Sequence, residues 1–192
     1  VFFHSGKLLK EVTHTFLALI PKIDNPEASN HFRPISLCST IYKIIAKLMA
    51  NRLKVILPKL IYPCQGGFTL DRFIQDNILI AHEVFNAFKK KKGKQGWLAI
   101  KLVMEKAYDR LDWNFIRICM ENFGFSPVWI NWVKECLSTV TFSVLIYGCP
   151  GDVFKPSRGI RQGDPLSPYL FILYAEVLAR LIQSASELPK NH

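Results

Sequence analysis

Long runs with a helical apolar period alternate with short β-branched runs, and Gly–Pro punctuation separates them; this alternation constrains the fold most. The stretch 14–23 (HTFLALIPKI) is β-branched and aromatic and reads as a strand. A turn follows at Asp24-Asn25-Pro26, and the turn-rich stretch ends at Arg33-Pro34. Ser39 or Thr40 can cap a helix with an apolar stripe of Ile41, Ile44, Ile45, Leu48, Leu53, Ile56 and Leu57. Lys43, Lys47, Arg52 and Lys54 lie mostly off that stripe, and Pro58 stops or kinks the helix. After Gln65-Gly66-Gly67, Asp71 is expected to cap a second helix bearing Ile74, Ile78, Ala81, Phe85 and Phe88, with Lys89 to Lys92 at its negative end. Gly93 and Gly96 release the chain into 97–104 (WLAIKLVM), the best strand in the sequence. Asp112 reads as the N-cap of a helix ending at Gly124, and Ser126-Pro127 opens the next. Residues 139–146 read as a strand, a tight connection at 147–151 leads to Val153-Phe154, and a last helix runs from about 168 to 186. Strands interleaved with long helices predict an α/β or α+β fold.

At 192 residues the chain is one domain in size, long enough to bury roughly 70% of its unfolded surface. Apolar residues at 49% against 21% charged exclude a disordered chain, a collagen and a polar linker. The formal charge of +10 favours an anionic partner, with nucleic acid ahead of membrane lipid. Five cysteines, odd in number and without a CxxC pair, suit small core residues of a reducing, intracellular compartment. No signal peptide is read, and the most apolar stretch, 169–182, is shorter than the roughly 20 residues a span requires and is broken by Glu176 and Arg180. The opening Val1, in place of a methionine, leads to the expectation that the chain begins inside a longer reading frame.

Three places carry possible chemistry. In 101–113 (KLVMEKAYDRLDW) a strand ends among Glu105, Asp109 and Asp112; such carboxylates suit Mg²⁺, while Asp112 is equally explained as a cap and Glu105 as part of a solvated turn. In 158–168 (RGIRQGDPLSP) glycines permit close backbone approach and Arg158 and Arg161 can fork phosphates, although a Pro–Gly turn before the last helix accounts for the same residues. The third, 30–36 (NHFRPIS), places Arg33 before a proline and is weak alone.

Taken in order, however, ALIPK (18–22), FRPISL (32–37), YKI (42–44), QGGF (65–68), DNI (76–78), EKAYD (105–109) and RGIRQGDPLSPYLF (158–171) are specific. The chain resembles the reverse transcriptase domain of LINE-type (non-LTR) retrotransposons, in particular plant elements, over about residues 13–182. The resemblance implies an α+β right-hand polymerase, with a fingers-like region at 1–96 and a partial palm at 97–192. It implies that Lys22 and Arg33 meet the incoming deoxynucleoside triphosphate, that Tyr108 packs under its sugar, and that Gln162 and Gly163 contact the nucleotide. Arg158 and Arg161 are implied to lie along the RNA template and DNA primer.

Two departures from the family's pattern shape the functional expectation. The family has KLDM where this chain has Lys101-Leu102-Val103-Met104, so the first palm aspartate is Val103 and no catalytic residue is assigned. The aromatic-Ala-Asp-Asp hairpin expected further downstream is not reached before His192, and the family's Mg²⁺ site is therefore expected to be incomplete. The expected function is a reverse transcriptase fragment, an RNA-directed DNA polymerase by family, inactive as given. The alternatives are a non-catalytic module binding RNA or RNA–DNA hybrid, and an inert transposon relic.

Overall fold

The computed structural model describes residues 2–93 and 96–187. Short helices α1 (Phe2–Ser5) and α2 (Lys10–Thr13) lead into β1 (His14–Pro21), and β2 (Phe32–Cys38) returns antiparallel to it. Three helices follow: α3 (Thr40–Leu60), α4 (Ile74–Lys90) and the short α5 (Ala107–Arg110). Then come α6 (Trp113–Asn122), α7 (Pro127–Ser138), β3 (Thr141–Ile146), β4 (Cys149–Pro150) and α8 (Ser167–Glu187). The sheet order is β2-β1-β3-β4, with β1 and β3 parallel and His14 opposite Thr141. The fold is mixed α+β. Among the described residues no helix is long and apolar enough to cross a membrane.

Local chemistry sets the helix starts. Ser39 Oγ accepts from the Tyr42 amide at 3.2 Å, the Asp112 carboxylate from Phe115 at 2.8 Å, and Ser126 Oγ from Trp129 at 3.3 Å. Each satisfies an amide that the helix itself leaves without a partner, a contribution of about 1 kcal/mol. Pro58 does not end α3. It lies within the last turn, and the helix reaches Leu60 before Ile61 closes it by donating to Leu57 O. The carbonyls there are gathered by Arg72, whose guanidinium donates to Tyr62, Gln65, Pro58 and Ile61 oxygens at 2.7–3.4 Å.

The core is made by α3, α6, α7 and α8 behind the sheet. Tyr42, Met49, Leu53 and Leu57 pack with Leu111, Met120, Val133, Leu166, Leu170 and Leu173, all essentially inaccessible. The buried face of α3 is Tyr42, Ala46, Met49, Ala50, Leu53 and Leu57; of the expected stripe, Leu53 and Leu57 are buried and Ile45 is partly buried against the core. Ile41, Ile44, Leu48 and Ile56 are exposed. The helix is apolar on most sides, so its neighbours select the face, and the small Ala46 and Ala50 allow them to approach closely.

Two further expectations are corrected. Asp71 does not cap α4; it has a positive φ of 58°, and Phe73 occupies the N-cap position without a side-chain bond. Residues 97–104 are not a strand: they form no ladder with any strand, and Leu98, Ile100, Leu102 and Val103 are all exposed. A strand exists only through backbone pairing, and this segment lies on neither edge of the sheet. Likewise no residue of α4 is fully buried; its apolar face holds only a satellite cluster, Phe85 on Phe88 and Phe88 on Trp97.

Candidate functional site

A cleft of about 1080 Å³ opens where the ends of β1 and β2, the side of α3, α5 and the loop before α8 converge. Lys22 lies just beyond β1, its amide donating to His31 O at 2.8 Å and its Nζ to Asn30 O at 2.9 Å. Arg33 stands on β2 opposite Ile20 and is exposed. Tyr108 belongs to α5, half-buried, with its ring 5.4 Å from that of Phe171; burial raises its phenol pKa. Gln162 and Gly163 complete the wall. The Gln162 carbonyl accepts from Ser36 N at 2.8 Å, which fastens this loop to β2. Gly163 has φ of +102°, a backbone conformation that an L side chain adopts only under strain, so the turn favours glycine. The cleft thus brings together Lys22, Arg33, Tyr108, Gln162 and Gly163, and adds Lys47 of α3 and Lys106 at the start of α5. From the sequence alone Lys47 is an off-stripe charge of α3. It lies beside the Tyr42–Ala46 face, a signal visible only once that face is known to be the buried one.

Arg158 and Arg161 part company. Arg158 is exposed on a smaller neighbouring cavity of about 220 Å³, which shares Pro34, Asp109 and Gln162 with the main cleft. Arg161, expected along a template, is instead 4% exposed. Its guanidinium lies 3.6 Å over the Tyr42 ring and donates to Thr15 Oγ1 at 3.3 Å and to Cys136 O at 2.8 Å. Its Nε is 3.5 Å from Asp164 Oδ2. The same Asp164 oxygen accepts from the Tyr42 hydroxyl at 2.7 Å, and Oδ1 accepts from Leu166 N at 2.9 Å. Burial and, after it, the Asp164 charge push the Tyr42 phenol well above its ordinary range and the Cys136 thiol to about 12. Arg161 and Asp164 therefore join α3, β1, α7 and the loop from inside, a buried ion pair with its hydrogen bonds met.

The carboxylates near the cleft do not form a metal site. Val103 offers no oxygen from its side chain and is exposed. Glu105 pairs with Arg110 at 3.4 Å, Asp112 is occupied as a helix cap, and Asp164 is engaged on both oxygens. Among the described residues no group of three or more His, Cys, Asp or Glu side chains could hold an ion. Mg²⁺ is commonly anchored by one or two carboxylates beside substrate phosphates, and among the described residues Asp109 is the one cleft carboxylate not already engaged, too few to anchor the two ions of the family's reaction.

A family model described as reverse transcriptase (RNA-dependent DNA polymerase) matches residues 20–190, and the chain belongs to that family. It is a domain of the non-LTR retrotransposon type. It is 32% identical over 191 residues to the transposon TX1 uncharacterized 149 kDa protein of Xenopus laevis, covering 94% of this chain and 14% of that one. It is 29% identical over 181 residues to the Pol polyprotein of the type-2 retrotransposable element R2DM of Drosophila melanogaster, covering 94% of this chain and 16% of that one. The chain thus spans about a seventh of the length of these relatives. The structure of apo telomerase from Candida tropicalis, truncated from its C-terminal domain, superposes with a TM-score of 0.60 at 19% identity, covering 93% of this chain and 41% of that one. That likeness gives the fold, the right-hand polymerase. The family works with a divalent metal ion, for which the described residues offer no cluster of three or more ligating side chains.

Proposed function

We propose that this chain is the fingers-like region (1–96) and partial palm (97–192) of a reverse transcriptase domain that keeps its nucleotide cleft without the means of polymerisation. One sheet runs through both regions, taking β1 and β2 from the first and β3 and β4 from the second. The observation that carries this reading is the convergence of Lys22, Arg33, Tyr108, Gln162 and Gly163 on one cleft, with Val103 where an aspartate is needed.

In this reading Lys22 acts as a point charge and Arg33 as a planar fork toward the phosphates of a deoxynucleoside triphosphate. Tyr108, steadied by Phe171, offers a flat face to the sugar. RNA template and DNA primer are held by backbone contacts, aided by the +10 charge and by Arg158. Arg161 and Asp164 act through the loop they brace. Chemistry fails because in-line phosphoryl transfer with Mg²⁺ needs carboxylate-anchored ions against the charge on the phosphates. The same reading puts the protein inside the cell, where its thiols stay reduced.

Primer extension on an RNA template with Mg²⁺ or Mn²⁺ tests this. No product is expected from the chain, and none from Val103→Asp alone, since one restored carboxylate does not hold two ions. Extension by the unaltered chain overturns the reading. The inert-relic reading is favoured by one observation, the exposure of apolar residues along α4 and 97–104. Salt-dependent binding of an RNA–DNA hybrid that survives Lys89→Ala/Lys90→Ala removes the inert reading, because counterion release then comes from a surface other than the lysine run.

A further inference from the structure

The charge on the cleft is unevenly answered. Four cations from separate elements line it: Lys22 after β1, Arg33 on β2, Lys47 on α3 and Lys106 at the head of α5. Three carboxylates line it too, but two of them are taken. Asp164 is 4% exposed, with both oxygens hydrogen-bonded and Arg161 beside it. Glu105 is turned to Arg110. Asp109 remains, exposed, as a single carboxylate among the four cations. The cleft is therefore a net cation trap that lacks a metal platform.

A compact polyanion suits such a cleft better than an extended one. A triphosphate concentrates its negative charges on one short chain, whereas a nucleic-acid backbone spreads them one per nucleotide. Charge-assisted hydrogen bonds from ammonium and guanidinium groups to phosphate oxygens are among the stronger polar contacts in water. The Tyr108 ring on the same wall gives a nucleoside something to rest on, which a bare polyphosphate cannot use.

We propose that this cleft is a metal-independent nucleoside triphosphate site, in which Lys47 and Lys106 supply the phosphate neutralisation that a carboxylate-held divalent cation would otherwise supply. The proposal rests on the nucleotide-cleft reading above and adds the ligand's ionic form and two residues. It has a direct consequence. Mg²⁺ chelates the phosphates of free nucleotide and removes the charge the cleft reads, so the added ion weakens binding instead of promoting it.

The test is calorimetric titration of dTTP into the whole chain, once with EDTA and once with excess Mg²⁺, with tripolyphosphate and thymidine as comparison ligands. Saturable dTTP binding is expected in EDTA, several-fold weaker in Mg²⁺, with tripolyphosphate weaker than dTTP and no binding of thymidine. Lys47→Gln is expected to cost about tenfold in affinity, and Lys89→Ala/Lys90→Ala, in the last turn of α4 and not among the residues lining the cleft, nothing. Lys47 is exposed on its helix, and an unchanged melting curve confirms that the variant is folded. Binding that appears only when Mg²⁺ is added overturns the proposal, as does a Lys47→Gln variant that binds like the parent. Tripolyphosphate binding as tightly as dTTP overturns the nucleoside assignment. Primer extension separates the two levels. Extension in Mg²⁺ overturns the inactive-polymerase reading whatever the titrations give, while Mg²⁺-dependent dTTP binding without extension overturns this inference alone.

Discussion

Residues 40–60 and residues 74–104 are both rich in large apolar side chains, yet they meet opposite fates. In the first, α3 sinks Tyr42, Met49, Leu53 and Leu57 into the main core. In the second, α4 and residues 97–104 leave Ile78, Phe85, Leu98, Ile100 and Leu102 at least half exposed. The difference is the presence of neighbours. α3 is met by α8 and braced through Tyr42, Asp164 and Arg161, whereas among the described residues the aromatic face of α4 meets Trp97 through Phe88 and buries none of its residues. Apolar content is therefore a poor guide to where stability resides; what counts is area removed from water. An exposed apolar surface of this extent marks a place where further protein is accommodated or where chains associate.

The largest effect is expected inside the braced region. Asp164→Ala leaves Arg161 buried without its carboxylate and deprives the Tyr42 hydroxyl and the Leu166 amide of their acceptor. A loss of about 3–5 kcal/mol is expected, enough to unfold a marginal domain. Urea denaturation reads it directly. Asp164→Asn, which keeps an acceptor and the shape, should lose less. A loss below about 1 kcal/mol for the alanine variant would show that the network is not what distinguishes α3 from α4.

An intermediate effect is expected with pH. The Cys136 thiol is raised from its ordinary value to about 12, mainly by burial and next by Asp164. A raised acid retains its proton in the folded state while the unfolded chain releases it. The stability it contributes is thus fully present below the unfolded thiol's pKa and is lost as pH rises toward about 12. Cys136→Ala should flatten the alkaline limb of the stability curve, measured by denaturation from pH 7 upward. Thiol labelling at neutral pH offers an independent check. Cys64 and Cys149 are exposed and should react, and Cys38, Cys119 and Cys136 should react only on unfolding.

The smallest effect on stability is expected in the unbraced region. Leu98→Ser/Ile100→Ser alters two side chains that face water, 82% and 74% exposed. Stability should move by no more than about 0.5 kcal/mol, while binding of a hydrophobic dye and aggregation fall. A clear drop in the denaturation midpoint would mean that 97–104 is packed in solution and that the contrast with α3 is overdrawn.

Much of this protein was decided within short stretches of its sequence. Ser39, Asp112 and Ser126 cap their helices because a side-chain oxygen three residues from an unpaired amide needs no help from the rest of the fold. The strand at His14–Pro21 and the family-bearing motifs are equally local, and Val103 carries no side-chain oxygen whatever surrounds it. Tertiary structure decided the rest. Isoleucine spacing did not reveal which face of α3 is buried, because an apolar helix is oriented by what packs on it. The β-rich pattern of 97–104 was not enough to make a strand, because the hydrogen bonds of a strand belong to its neighbours. Arg161 and Lys47 took on roles that their local sequence did not show. The motif arginine went inside because Tyr42, Thr15, Cys136 O and Asp164 surround it with partners, and the unremarked lysine came to the cleft because burying Tyr42 and Ala46 turned that side of α3 toward the loop before α8.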